Sequence, residues 1–392
     1  ITADQISEGT NMIYGPLLDL APSDPVQREQ STLWRQNRIH TWRPEVAQFF
    51  ARLTIDKAEQ MSKKRAVFVV KHAPGYGHFM GPIETANRPP IDHRSLKEIS
   101  VGLQPFRGVI DQFGPSQIAV MVSGVVVPSL GRTKKNDLKT PLLFSPRGIE
   151  WLRHQLGPMG EEVVLLADDL TAPIFLPYYR DQLGLEKGKI SPHQRWRLLI
   201  QQLAASDVDL ILSYESPPQE RFALYLEEGK KLVEERLVSR EVLEKSVYRI
   251  LRMKKRLYPH HPRLQNIRNT VQLMSVEELL AQKLILPGSW INSSTTERER
   301  QIVQMTRQGI GGISFEGTQG LIRQVLKGPY SSQSKRLIPP FLANNSLQEI
   351  AGFQGRYRSY LSEVEPIRRF TELLDLYSPE PVSSETLSSM VD

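Results

Sequence analysis

Ionisable side chains follow two apolar runs, and their types and spacing are suited to chemistry. The run 66–70 leads into Lys71 and His72 and then a Pro-Gly-Tyr-Gly turn, and the run VVLLA leads into Asp168 and Asp169. A lysine and an imidazole can hydrogen-bond a polar ligand, whereas a carboxylate can attack a substrate or cap a helix. From the residue types alone, the catalytic and the capping interpretations of the aspartates both stand.

The composition limits the kinds of site that the chain can build. Among its 392 residues there is no cysteine, which excludes disulfides, thiolate zinc sites and cysteine nucleophiles. The net charge of +7 comes from basic residues interleaved with acidic ones, so short basic runs such as 63–65 and 252–256 favour solvated faces over a nucleic-acid surface. No apolar run is long enough to span a bilayer, and no signal-peptide pattern opens the chain.

These observations give a set of expected absences. We expect no nucleic-acid partner, no transmembrane segment and no metal. No G-x-G-x-x-G motif follows a predicted strand, so we also expect no cofactor. The lack of cysteine slightly favours the periplasm or cell envelope over the cytoplasm.

Eight short apolar runs recur along the chain, most of them followed by a turn and a segment with apolar residues at helical spacing. This alternation is typical of βα units around a parallel sheet, and eight is the number of strands that closes a TIM-type (β/α)8 barrel. The sequence therefore predicts an α/β barrel, with an open doubly wound sheet as the alternative. The predicted strands are 11–20, 66–74, 118–127, 161–170, 208–216, 282–288, 309–317 and 336–345, and the predicted helices are 44–61, 94–113, 146–156, 193–206, 219–237, 240–257 and 295–308.

Four strand-end motifs carry a family resemblance. They read GTNMIYGPLLDL (9–20), KHAPGYG (71–77), AVMVSG (119–124) and LADDL (166–170). In this order they resemble the motifs G-I-N-x-N-F-A-P-V-x-D, K-H-F-P-G-H-G, A-V-M-T-A-H and S-D-D-L of glycoside hydrolase family 3, in particular its β-N-acetylglucosaminidase branch. That family folds as a (β/α)8 barrel, so the resemblance implies the same fold.

The C-terminal third resembles the beginning of the same domain. MSVEELLAQKLILPG (274–288) is similar to the family's opening M-S-L-E-E-K-x-G-Q-L segment, and QMTRQGIGGISFEG (304–317) is similar to its second strand. PPFLANN (339–345) stands where the third strand ends in D-Q-E-G-G. Family strands one to three therefore follow strands four to eight in this chain.

This order predicts circular permutation of one barrel domain over residues 1–354, because barrel termini lie close together. Residues 1–260 then correspond to family strands four to eight, and residues 271–354 to strands one to three. A fragment of two tandem domains and strands exchanged between neighbouring chains are the alternatives. Residues 355–392 lie outside the resemblance, and their Ser-, Pro- and Glu-rich end predicts an extended or weakly ordered tail.

The resemblance implies a sugar site at the strand ends. Asp168 stands where the family motif places the nucleophile of a retaining glycosidase. Lys71 and His72 stand at the pair that binds sugar hydroxyls, and Arg38 matches a further sugar-binding arginine. Asn344 stands in place of the aspartate of D-Q-E-G-G.

The proton donor is where the sequence departs from the family. In this branch an Asp-Ser-His element on the loop after K-H-F-P-G-H-G supplies a histidine acid/base, and here no histidine stands at the corresponding position, near Glu84. Tyr76 also replaces the second histidine of the turn. A nucleophile without an acid forfeits on the order of a hundredfold in rate or more. The remaining candidates for the proton donor are His78, Glu84, Asp92 and His93.

Two functional hypotheses follow. The substitutions favour a non-catalytic or weakly active family 3-like protein that works as a glycan-binding or structural subunit of a cell-envelope assembly. The alternative is an active β-N-acetylhexosaminidase that acts on amino-sugar glycans such as peptidoglycan fragments, with Asp168 as nucleophile. The expected partners are an amino-sugar glycan and the other proteins of such an assembly.

Overall fold

The computed structural model describes most of the chain. The described residues are 11–62, 66–81, 89–130, 140–170, 172–184, 190–213, 218–287, 304–305, 308–315, 341–345, 367–368, 371–372, 374–375 and 381–391. They form a mixed α/β fold whose strands all pair in parallel. The strands are Met12–Leu17 (β1), Val67–Ala73 (β2), Ile118–Val122 (β3), Val164–Ala167 (β4), Ile211–Leu212 (β5), Leu284–Pro287 (β6), Gly312–Phe315 (β7) and Phe341–Asn345 (β8).

The strands form one sheet of eight in the order β4-β3-β2-β1-β8-β7-β6-β5. The first and the last strand along the chain therefore pair inside the sheet, where Met12 of β1 pairs with Ala343 of β8. A parallel bridge also links Leu166 of β4 to Leu210, next to β5. There the Ala167 N–H donates to the Leu210 carbonyl at 2.9 Å. Each predicted apolar run thus contains a strand, and the α/β class is confirmed.

The helices lie between the strands, as their apolar spacing predicts. The predicted helix 295–308 falls largely outside the described residues, and the other predicted helices are confirmed. Their bounds are Pro25–Gln30 (α1), Thr32–Arg35 (α2), Pro44–Ser62 (α3), Leu96–Phe113 (α4), Pro146–Gln155 (α5), Leu176–Gln182 (α6), Pro192–Ala205 (α7), Pro218–Glu234 (α8), Arg240–Leu257 (α9), Pro262–Gln265 (α10), Ile267–Leu273 (α11), Val276–Gln282 (α12) and Ser384–Val391 (α13).

Alternate strand residues build two apolar layers. Val67 and Val69 of β2 belong to one cluster of buried residues, and Phe68 and Val70 belong to the other. Successive side chains of a strand point to opposite faces of the sheet, and here both faces are covered. Because every residue of β2, β3 and β4 is buried, these runs are continuously apolar until they reach the polar residues at their C-terminal ends.

A buried ionic network ties α5, β5 and α9 together. The Asp209 carboxylate is fully buried and accepts hydrogen bonds from Arg249 at 2.8 Å, from Arg153 at 3.2 Å and from the Leu165 N–H at 2.9 Å. Asp207, with a side chain 24% exposed, also pairs with Arg249 at 2.8 Å. Charges this deeply buried need partners, and the network supplies them from three elements.

The acid stability of the fold should depend on Asp207. Burial alone would raise the pKa of this carboxyl, but the hydrogen bonds and charges of Arg249 and Arg153 outweigh burial and lower the pKa from 3.8 to about 2. Because the folded state binds this proton less readily than the unfolded state, the stabilisation is present above pH 4 and is lost as the pH falls towards 2. We expect Asp207→Asn to lose less free energy of unfolding than the wild type between pH 4 and pH 2, as measured by urea titration. An equal loss of free energy of unfolding in the wild type and in Asp207→Asn over this pH range would contradict the prediction.

The C-terminal segment is not the extended tail that its composition predicts. Residues 384–391 form α13, and Leu387 is fully buried in a cluster with Val46 of α3 and Leu374. The two leucines supply the apolar surface that a short helix needs in order to dock, and composition averaged over the segment conceals them.

Within the described ranges, no helix combines the length and the apolar character needed to cross a membrane.

Candidate active site

The C-terminal ends of β2 and β4 bring the predicted site residues to one edge of the sheet. Lys71 and His72 are the polar residues of β2, both nearly buried, and Asp168 directly follows β4. Tyr76, in the turn after β2, spans the gap, with its hydroxyl 3.2 Å from Asp168 Oδ2. Parallel strands end at the same edge of a sheet, which explains why residues so far apart in sequence meet here.

Asp19 organises the β2 side of this edge. Its carboxylate is fully buried and accepts three hydrogen bonds, from the His72 N–H at 2.9 Å, from His72 Nδ1 at 2.9 Å and from the Tyr76 N–H at 2.5 Å. Burial would raise the pKa of Asp19, but the His72 imidazole and these hydrogen bonds outweigh burial, so that the net shift is downward. Asp19 therefore fixes both the His72 ring and the start of the turn.

Sequence reasoning did not single out Asp19 as a site residue. The available signal was the aspartate that closes the GTNMIYGPLLDL run, which matches the final aspartate of the similar family motif. Residue type and position cannot show that this carboxylate reaches back to His72 and Tyr76. Only the pairing of β1 with β2 places it there.

Tyr76 holds Asp168 through a hydroxyl that keeps its proton. The hydroxyl accepts from the Gly124 N–H at 2.7 Å and lies 3.2 Å from Asp168. Burial first, and then the Asp168 charge, raise the pKa of Tyr76 well above its usual value of 10.0. The phenol therefore remains a donor towards Asp168. The second carboxylate oxygen of Asp168 accepts from the Asp169 N–H at 2.9 Å, so both oxygens are engaged.

The turn between His72 and His78 depends on two glycines. Gly75 has φ +123°, a conformation that side chains with a Cβ rarely adopt. A Cβ on Gly77 would lie 1.9 Å from the Leu20 carbonyl oxygen. The peptide bonds Gly15–Pro16, Lys71–His72 and Ala73–Pro74, which lie close to this turn, are cis. The Gly-Tyr-Gly sequence is thus what lets the turn pack against the segment after β1.

The other predicted ligands lie at the edges of this arrangement. Arg38 is half-buried beside Ile39, which packs in one cluster with Tyr76. Asn344 lies in β8, where its backbone pairs with Ile13 of β1, and its side chain is not described. Tyr76 therefore contacts both the His72 ring and Asp168, whereas Asn344 lies in β8 and Arg38 lies between α2 and α3.

Tyr76 also lines a cleft with a volume of about 410 Å³. His78 lines it, and burial together with the nearby Arg94 charge lowers the pKa of His78 from 6.5 to about 4. Met80 and Ile91, which also line the cleft, are 45% and 46% exposed. The further lining residues are Gln27, Gly75, Phe79, Pro90, Asp92, His93, Arg94, Glu98 and Val125.

The remaining candidates for a proton donor differ in their surroundings. Asp92 is buried and forms a bidentate pair with Arg94, at 2.9 and 2.7 Å, which commits its carboxylate. His93 is exposed and lines the cleft. Glu84 lies outside the described residues. Among the described candidates, only the two histidines therefore have a side chain that a ligand in the cleft could use.

A group of residues with metal-ligating side chains lies on α7 and α8. Among the described residues, the possible ligand atoms of His193, Glu227 and Glu228 lie within 4.8 Å of one another. Lys231 already bonds both glutamates, at 2.7 and 3.1 Å. This ammonium neutralises the charge that would attract a cation, so the group is explained as a surface ion cluster.

Comparisons with protein-family models, with curated proteins and with solved structures find no match for this chain.

Proposed function

We propose that this chain is a family 3-like glycosidase relative that binds an amino-sugar glycan at the Asp168 edge and hydrolyses it weakly or not at all. In this proposal residues 1–354 form one circularly permuted (β/α)8 barrel. Two observations support the barrel: β1 pairs with β8, and the bridge between Leu166 and Leu210 links the two outer strands of the sheet order. Closure removes exposed strand edges and places all strand ends around one pocket.

The geometry at the strand ends supports the sugar-binding part of this proposal. Lys71 and His72 at the end of β2 and Asp168 after β4 provide donors and acceptors at strand ends that are separated by β3, and Asp19 fixes the orientation of the His72 ring. Tyr76 links this group to the cleft, since its hydroxyl lies 3.2 Å from Asp168 Oδ2 and it also lines the cleft. A cleft of about 410 Å³ falls in the usual size range of small-molecule sites.

The proposal that hydrolysis is weak or absent rests on the protonation of His78. A general acid has to hold its proton at the working pH, and the pKa of His78 is lowered to about 4. With its pKa lowered in this way, the His78 imidazole is mostly neutral at pH 7. This imidazole therefore cannot protonate a leaving group efficiently, and the cost is on the order of 10²–10⁴ in rate.

One observation favours the alternative, an active retaining hexosaminidase. Asp168 is held by two donors, as an oriented nucleophile should be. In this alternative the proton donor comes from outside the described residues, and Glu84 is the candidate. Leaving-group chemistry separates the two functions, because an activated leaving group departs without an acid.

The test has two parts. Hydrolysis is measured on a dinitrophenyl and on an alkyl N-acetyl-β-glucosaminide, and binding of a β-1,4-linked N-acetylglucosamine oligomer is measured by titration calorimetry. We expect the oligomer to bind, the dinitrophenyl glycoside to be cleaved slowly, and the alkyl glycoside to survive. Asp168→Asn should abolish the slow cleavage, whereas Asp181→Asn, on the exposed surface of α6, should not. Efficient cleavage of the alkyl glycoside would establish the hydrolase instead. Absence of binding would overturn the proposal.

A further inference from the structure

An arginine of the C-terminal segment binds the segment 31–43, which contains α2. The Arg368 guanidinium stacks 3.5 Å above the Trp34 ring. It also donates to Asn37 Oδ1 at 2.9 Å, to the Trp34 carbonyl at 2.7 Å and to the Ile39 carbonyl at 3.1 Å. A planar guanidinium can stack on a ring and bond several carbonyls at once, which an ammonium cannot do.

Two further side chains, Thr371 and Asp375, also bond the segment 31–43. We call Arg368, Thr371 and Asp375 the C-terminal latch. The Thr371 hydroxyl is buried and lies 3.1 Å from the Thr41 hydroxyl. Asp375 accepts from the Trp42 ring N–H at 2.7 Å and pairs with Arg43 at 3.2 Å. The latch is itself held to the body of the protein, because Leu374 is buried against α3.

The segment 31–43 supports the wall of the cleft beside Tyr76. The Thr32 N–H donates to the Phe79 carbonyl at 2.9 Å, and the Thr32 hydroxyl donates to the Gly81 carbonyl at 2.7 Å. The Ser31 hydroxyl donates to the Gly77 carbonyl at 2.6 Å. Phe79 lines the cleft, and Trp34 and Tyr76 pack in one apolar cluster.

We propose that Arg368 is a positioning residue of the binding site, although it lies outside the barrel-like part of the chain. It acts through Trp34 and Thr32 on the segment 77–81, which forms one wall of the cleft. This inference rests on the proposed function, because it assumes that the glycan binds in the cleft. The C-terminal segment then serves the site of its own chain.

The experiment measures amide hydrogen exchange in the full chain, with and without the β-1,4-linked N-acetylglucosamine oligomer, in Arg368→Ala, Arg368→Lys and Glu385→Ala. Glu385 is the control, because it is exposed on α13 of the same segment. In Arg368→Ala we expect the amides of Thr32 and Arg38 to exchange about tenfold faster or more, while amides of β2 and β3 keep their rates. Arg368→Lys should fall in between, and Glu385→Ala should match the wild type.

The glycan affinity is the second readout, and we expect Arg368→Ala to weaken it about tenfold. If Arg368→Ala left amide exchange at Thr32 at the wild-type rate, Arg368 would not position this segment and the proposal would be overturned. It would also be overturned if exchange became faster by the same factor throughout the chain, because the effect would then be a general loss of stability. Local acceleration with unchanged glycan affinity would also overturn it as a statement about the site. Local acceleration in a chain that binds no glycan would sink the proposed function and leave the loop positioning supported.

Discussion

Replacing Asp19 by alanine should abolish glycan binding and lower the free energy of unfolding by about 3–5 kcal/mol. The carboxylate is fully buried and is the common acceptor of the His72 N–H, His72 Nδ1 and the Tyr76 N–H. Truncation leaves these donors buried without an acceptor, and each such group costs about 1–3 kcal/mol. The His72 ring also loses the partner that sets its orientation, so binding and stability should fail together.

The measurement is urea unfolding followed by glycan titration under conditions where the variant is folded. Asp24→Ala is the matched control, because Asp24 is an exposed helix cap in the same segment and its loss should cost about 1 kcal/mol. Asp19→Asn should lie between the two, since an amide retains one acceptor oxygen. If Asp19→Ala were as stable as Asp24→Ala, Asp19 would not be the organising residue of this edge.

The second large effect is expected at the opposite end of the strands. Asp209→Ala should lower the free energy of unfolding by about 3–5 kcal/mol, because breaking a buried ion pair leaves uncompensated charge. Arg153 and Arg249 are 2% and 4% exposed and both bond Asp209. Asp207, with Glu161 3.9 Å from Arg249, would then face the two buried guanidinium groups, and the Leu165 N–H would lose its acceptor.

An exposed ion pair provides the comparison. Asp111 pairs with Arg107 along α4 at 3.6 Å, with both side chains about half exposed, and Asp111→Ala should cost under about 1 kcal/mol. Chemical denaturation of both variants checks the difference. A cost for Asp209→Ala close to that for Asp111→Ala would mean that Asp207 and solvent replace the lost carboxylate. Glycan binding by folded Asp209→Ala should remain, since Asp209 lies before β5 and the proposed site lies at the other end of the strands.

The sequence predicts some residues of the candidate site but not the contacts that orient them. The positions of Lys71, His72 and Asp168 at strand ends were predictable, because each stands at the end of an apolar run. Asp19 was not predictable as their organiser, since a carboxylate that closes a run carries no sign of which distant N–H groups it will accept from. His78 was predictable as a candidate acid, but its lowered pKa arises from burial and from Arg94, which only the folded turn brings near.

The sequence by itself determined the eight strands, most of the helices between them, and the absence of any cysteine chemistry. Apolar periodicity and strand length are local properties, so they can be read along the chain. Tertiary structure alone decided that β1 pairs with β8, that Tyr76 bonds Asp168, and that the Ser- and Pro-rich C-terminal segment docks on α3. Each of these depends on contacts between residues far apart in sequence, whose free energy no local pattern records.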